Sequence, residues 1–215
     1  FNVSENNWLG KGINVSTGID ISAESFTGSL NVSDPNYNSS GNSLNYFISN
    51  TSNDKPDSGF ENNILSIGIG TAFEQYKNIY LSPNLTLSYD DLKVENSASE
   101  SLKKQKGAFT DLSFDYGISL DKRDRVYAPT DGYVSRFRQA IPVYADAPYI
   151  KNTYSLSKYQ ALTNNAIGAF KIYATAITGF NEKDVRLSKR VNLSSNKLRG
   201  FESGKIGPKD GEDFV

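Results

Sequence analysis

The stretch AFTDLSFDYGISLD, residues 108 to 121, decides the fold. Taken with a period of two, it sets Leu112, Phe114, Tyr116, Ile118 and Leu120 on one side and Ser113, Asp115, Gly117, Ser119 and Asp121 on the other. Successive strand side chains point to opposite faces, whereas a helix needs apolar residues three and four apart, so this is a strand with one apolar and one polar face. The repeat returns in NIYLSPNLTLSYD at 78 to 90, with Ile79, Leu81, Leu85, Leu87 and Tyr89 against Tyr80, Ser82, Asn84, Thr86, Ser88 and Asp90. It returns again at 11 to 22, through Ile13, Val15, Ile19 and Ile21, and at 25 to 33, through Phe26, Leu30 and Val32. Further strands are expected near 43 to 53, 60 to 74, 131 to 143, 151 to 163 and 166 to 180, the last three alternating less cleanly. With the tail of one more at the start, about ten strands result, and no stretch has sustained 3.6-residue periodicity with caps. The expected fold is all-β.

Strand length narrows the choice. Many of these runs reach about 10 to 14 residues, beyond the five or six usual in soluble sheets, and a membrane-spanning strand needs roughly 9 to 11. The polar side of each strand is Ser, Asn, Thr, Gly and Asp almost throughout. Joins near 4 to 10, 35 to 42, 75 to 78 and 164 to 165 are mostly short. Those at 54 to 60, 93 to 107, 144 to 150 and from 181 onward are longer and lie at the opposite end, with 22 to 25 and 122 to 130 as exceptions. Short periplasmic turns and longer extracellular loops are the outer-membrane pattern. Lys103, Lys104, Lys106, Glu182, Lys183, Asp184 and Arg186 fall in the longer loops, and a cation facing lipid at mid-depth would cost roughly 2–4 kcal/mol. A mean hydropathy of −0.50 fits a barrel in which only alternate strand residues meet lipid. An antiparallel transmembrane β-barrel segment is therefore expected, with a soluble β-sandwich as the alternative.

Composition excludes several chemistries. With no Cys and no His there is no disulfide framework, zinc finger, thiol nucleophile or imidazole base. Lys plus Arg number 23 against 24 Asp plus Glu, so the basic surface that nucleic acid requires is missing. No run of 18 or more apolar residues provides a helical span. The chain opens on Phe1-Asn2-Val3, already alternating, and stops at Asp213-Phe214-Val215 without a closing element, which leads us to expect a piece of a larger protein. No cofactor, metal or enzymatic activity is expected. Ser101-Leu102-Lys103-Lys104 and Ser155-Leu156-Ser157-Lys158 match the S-x-x-K spacing of activated serines, but one falls in a loop and the other in a strand. Gly68-Ile69-Gly70 lacks the third glycine and the following helix of a dinucleotide loop.

Other residues stand out for position. Trp8, the only Trp, suits an interfacial anchor between water and lipid. Arg123 and Asp124 precede a turn in which Pro129 fixes φ and Asp131-Gly132 reverses the chain. Arg136 and Arg138 share the polar face of the next strand, opposite Tyr133, Phe137, Ile141 and Val143, and are expected to point into a wet lumen. Arg199, Gly200, Phe201, Gly207 and Pro208 lie in a final segment far longer than a hairpin loop, and such loops are usually functional or disordered.

An Arg199-Gly200-Phe201 followed by Gly207-Pro208 in a long loop resembles the sixth extracellular loop of the bacterial surface antigen family of outer-membrane assembly factors. Asn7-Trp8-Leu9-Gly10-Lys11-Gly12 and Asp34-Pro35-Asn36-Tyr37 are similar to that family's early periplasmic turns. Asp121-Lys122-Arg123-Asp124 with Pro129-Thr130-Asp131-Gly132 is similar to the turn before its ninth strand. The resemblance covers nearly the whole chain. It implies that residues 1–215 are part of a C-terminal sixteen-stranded barrel, from the end of its second strand through its eleventh. Residues 181–215 would begin the loop that folds into the lumen, and the POTRA domains would lie outside this segment. It further implies that Arg199 contacts acidic residues on later strands, that Gly200 allows the tight turn, and that Phe201 packs beside it.

The implied function is folding and insertion of other β-barrel proteins into the bacterial outer membrane, without covalent chemistry. Unfolded outer-membrane clients, accessory lipoproteins and outer-membrane lipid are the implied partners. A polypeptide-secreting translocator of the same family is the alternative, and a passive outer-membrane pore is a further one.

Overall fold

A computed structural model describes residues 1–180, 184–191, 200, 206–207, 209–210 and 213–214. Ten strands follow one another as β1 (Asn2–Trp8), β2 (Ile13–Ile21), β3 (Ser25–Asp34), β4 (Ser43–Lys55), β5 (Phe60–Tyr76), β6 (Ile79–Val94), β7 (Gly107–Asp121), β8 (Gly132–Ala145), β9 (Tyr149–Thr163) and β10 (Ala166–Gly179). Each pairs antiparallel with the next in a single meander, and β1 and β10 each pair on one side only. The expected strands are all present. A two-residue pair, β11 (Lys209–Asp210) with β12 (Asp213–Phe214), forms a separate small sheet near the turn Pro56–Ser58.

Register carries the alternation from strand to strand. Tyr46 pairs with Ile69, Ile69 with Leu85, Leu85 with Phe114 and Phe114 with Ile141, so one apolar row crosses five strands. The row beside it runs Asn45, Gly70, Asn84, Asp115 and Ala140 on the opposite face. Among the described residues no second sheet covers the apolar face, where Leu65, Ile67 and Leu87 are 47%, 52% and 45% exposed. A sandwich would bury these side chains, whereas a barrel wall turns them to lipid. We call this the outer face and the polar one the inner face.

Strand β8 departs from the expected alternation. Leu112 pairs with Tyr144 but Ser113 with Pro142, so the register skips Val143. Pro142 has no N–H for the ladder, which accounts for a bulge there, and Tyr144 takes the outer position that the alternation gives to Val143. The outer face also holds a polar chain: the Tyr116 hydroxyl donates to Gln139 Oε1 at 3.0 Å, and Gln139 Nε2 donates to Asn152 Oδ1 at 2.6 Å. Mutual hydrogen bonding lowers the cost of holding these groups away from water, and they are one reason β8 and β9 read less cleanly.

The joins sort by end, but less strictly by length than expected. One end has 9–12, 35–42, 77–78, 122–131 and 164–165; the other has 22–24, 56–59, 95–106, 146–148 and the segment after β10. Tight joins occur at both ends, and 122–131 is long at the end of mostly short turns. Trp8 closes β1 rather than sitting in the turn, and it is half exposed opposite the outer-facing Ile13. The join 95–106 contains a single helical turn, α1 (Glu100–Lys103), where the Ser99 hydroxyl caps the Leu102 N–H. The first S-x-x-K match thus lies in that turn, and the second lies inside β9.

Candidate functional site

Residues 184–191, just after β10, lie against the inner wall at the end of the sheet that carries the 95–106 join. The local sequence Val185-Arg186-Leu187-Ser188-Lys189 forms a 3-10 turn over Leu187–Lys189, so consecutive side chains diverge toward the wall. Leu187 enters the one cluster of buried apolar residues among the described ones, with Phe60, Leu92, Ala98 and Leu102, against Val94 and Phe109. The apolar side of α1 therefore exists to meet this segment: Leu102 is buried while its neighbour Lys103 faces outward to pair with Glu100. The Leu187 N–H donates to Gln105 Oε1 at 2.8 Å, so the same join also satisfies the segment's backbone.

Charged contacts flank that apolar seat. Arg186 is 3% exposed, and its Nη2 donates to Asp111 Oδ2 on β7 while its guanidinium carbon sits 4.3 Å from the centroid of the Phe109 ring. A planar guanidinium can stack on a ring and bond a carboxylate at once, which an ammonium cannot. The Ser188 hydroxyl donates to Asp90 Oδ2 at 2.6 Å, and Asn62 Nδ2 donates to Asp90 Oδ1 at 2.9 Å. Lys189 Nζ lies 3.8 Å from Asp111 Oδ2, and burial lowers the pKa of this lysine against the opposing pull of Asp90. Arg186 lies in the loop after β10, as expected, but it is among the most buried side chains of the described residues.

Below this seat the inner wall opens into a polar trough of about 700 Å³, lined among others by Asp115, Arg136, Arg138, Tyr149, Lys151 and Lys189. Arg136 and Arg138 are exposed on this face. Gly117 lies between their strand and β6, and a Cβ there would come within 2.4 Å of the Ser82 hydroxyl. Among the described residues no three metal-ligating side chains come together.

The turn 122–131 at the opposite end is built from its own side chains. Arg123 donates through Nε and Nη2 to Asp121 at 2.8 and 2.5 Å, and through Nη1 to the Val126 carbonyl at 3.3 Å. Asp124 accepts from the Thr130 hydroxyl at 2.6 Å and from the Thr130 and Asp131 N–H groups at 3.0 and 3.1 Å. Those donors hold the Asp124 carboxyl well below the usual carboxylate range, the Thr130 hydroxyl contributing most. Pro129 follows Ala128, whose φ of 46° is unusual for a residue with a side chain. Gly132 has φ 90°, and a Cβ on it would lie 2.1 Å from the Lys122 carbonyl oxygen. Gly132→Ala is therefore expected to destabilise the barrel by about 1–3 kcal/mol, because a strained φ and a backbone clash coincide. Urea unfolding of the full-length protein would detect it, and an unchanged midpoint would contradict the clash.

Of the five loop residues singled out above, Arg199, Phe201 and Pro208 lie outside the described residues. Gly200 has φ 88° in an exposed turn and Gly207 has φ 145°. The buried group of Asp90, Asp111, Arg186 and Ser188 was not singled out from the sequence. Its signal there is faint: two carboxylates on the polar faces of adjacent strands, and two cations three residues apart in the following loop.

An Omp85 superfamily domain model matches residues 7–214. The chain belongs to the Omp85 superfamily. Two curated proteins are similar in sequence. A SAM50-like protein of Schizosaccharomyces pombe is 32% identical over 125 residues, 55% of this chain and 26% of that protein. The outer membrane protein assembly factor BamA of Neorickettsia risticii is 28% identical over 130 residues, 59% of this chain and 17% of that protein. The chain therefore spans a minor part of each relative. The crystal structure of BamA from Haemophilus ducreyi lacking POTRA domains 1–3 superimposes with a TM-score of 0.85 at 19% identity, over 96% of this chain and 43% of that one. The ten-stranded meander is thus an Omp85 barrel segment.

Proposed function

We propose that this chain is part of an outer-membrane assembly factor of the bacterial outer membrane, which folds and inserts other β-barrel proteins without covalent chemistry. The observation that carries this reading is the seating of residues 184–191 on the inner wall of an Omp85 barrel segment. Similarity to a protein named as an outer membrane protein assembly factor supports the same reading.

In this reading the end with joins 9–12, 77–78 and 164–165 is periplasmic, and residues 181–215 begin an extracellular loop that turns into the lumen. Trp8 anchors the periplasmic interface. The POTRA domains belong to the longer protein, unfolded barrel proteins and outer-membrane lipid are its partners, and accessory lipoproteins join it. Arg199 fixes the loop tip on acidic groups of the far wall, through hydrogen bonds that Lys cannot reproduce.

The test uses the full-length protein as sole copy in its host, with Arg199 intact or changed to Ala. Loss of a charge-assisted bond worth about 1.5–3 kcal/mol lowers the docked population of the tip by roughly 10- to 100-fold. The expected result is a fall in many unrelated outer-membrane barrel proteins only in the Ala strain. Normal levels of all of them, with failure of one exported polypeptide, would replace assembly by secretion.

A further inference from the structure

We propose that Arg186 is a second positioning residue of the loop, an anchor at its root that holds residues 184–191 on the inner wall independently of Arg199. The proposal rests on the reading of 181–215 as a loop turned into the barrel, and it identifies what fastens that loop where it leaves β10.

Charge balance across the contact leads to it. The wall offers two buried carboxylates, Asp90 on β6 and Asp111 on β7, with 0% and 6% exposure. Among the described residues neither has a cationic partner within the wall: Asp90 is bonded by Asn62 and Ser188, and Asp111 only by Arg186 and Lys189. Two carboxylates stripped of water on adjacent strands are costly unless opposite charge reaches them. The root supplies that charge through Arg186 and Lys189, both of which reach Asp111, while Asp90 takes the Ser188 hydrogen bond and attracts Lys189 at longer range. Wall and root are therefore complementary surfaces, each poorly stable without the other.

The contact is also incompletely satisfied. Among the described residues, Arg186 Nε and Nη1 and Asp111 Oδ1 are buried without hydrogen-bond partners. Unmade hydrogen bonds at a buried ion pair reduce its net gain, while removing one partner leaves the other charge buried and alone. Such a contact behaves as a fastening that holds while both members are present and releases when either is lost. The guanidinium matters beyond its charge, because it lies against Phe109 while it bonds Asp111.

Limited digestion with proteinase K of the full-length protein in isolated outer membranes tests this, with cleavage within residues 184–191 as the readout. Asp111→Asn and Arg186→Gln should each accelerate that cleavage at least about tenfold, while the barrel keeps the heat-dependent gel mobility of a folded one. Exchanging the charges, Arg186→Asp with Asp111→Arg, should recover part of the protection lost in the single variants, though not the share that the Phe109 stack contributes, and a merely structural role for either side chain would recover none. Arg199→Ala should leave cleavage at this place close to the unchanged protein. If a single variant loses the folded mobility, Arg186→Lys replaces it, and several-fold faster cleavage is expected because an ammonium cannot stack and fork together. Unchanged cleavage in the folded single variants, unchanged cleavage in Arg186→Lys, or an exchange pair as exposed as the singles would each overturn the anchor. Levels of other outer-membrane proteins in the same strains read the assembly role separately, so the two readings fail independently.

Discussion

Changing Leu85 to arginine is expected to cost the barrel about 2–4 kcal/mol, while Asn84→Arg one position earlier costs less than about 1 kcal/mol. The two residues sit near the middle of β6, so both are at mid-depth, and they differ only in the face they occupy. Leu85 lies on the outer row between Ile69 and Phe114, where a guanidinium would face hydrocarbon. Asn84 lines an inner cavity beside Thr86, Asp115 and Arg138, where added charge stays hydrated and Asp115 is near enough to pair with it. Urea unfolding of the full-length protein in lipid vesicles would separate them by their midpoints. Equal losses would mean that the inner and outer faces have been assigned wrongly.

Leu92→Ala is expected to cost about 2–5 kcal/mol, the range for removing a fully buried leucine and leaving a cavity. Leu92 is 0% exposed at the centre of the cluster with Phe60, Leu102 and Leu187. The cavity would open beneath Leu187, so the loss includes part of the docking of the root as well as the stability of the wall. The same unfolding measurement reads the first effect, and faster proteinase K cleavage within 184–191 reads the second. A midpoint within about 0.5 kcal/mol of the unchanged protein would show that the site collapses without loss, against the usual behaviour of packed cores.

Most of the wall was legible because its physics is local. From Ile79 to Tyr89 in β6 and from Leu112 to Leu120 in β7 every second residue is apolar, because lipid on one side and water on the other impose a period of two there. Glycine positions such as Gly132 were readable for the same reason, since the turn chemistry of Pro129-Thr130-Asp131-Gly132 is contained in adjacent residues. The position of Val143 was not, because a bulge depends on pairing across two strands and Pro142 alone does not dictate where the register slips. The seat of the loop was harder still. Arg186 meets Asp111 across 75 residues and Ser188 meets Asp90 across 98, so nothing in the neighbourhood of any of the four distinguishes it from a solvated polar residue. A charged residue in a loop is ordinarily hydrated, and only the tertiary pairing with a buried carboxylate reverses that expectation.

The docked root has a geometric consequence for the tip. Once Val191 is fixed beside the wall, the chain to Arg199 is a tether of eight peptide links, which even fully extended spans no more than roughly 29 Å. A chain fastened at Val191 thus has twelve fewer links to Arg199 than one hinged only at Gly179, the end of β10, so less conformational freedom is lost when the rest of the loop orders.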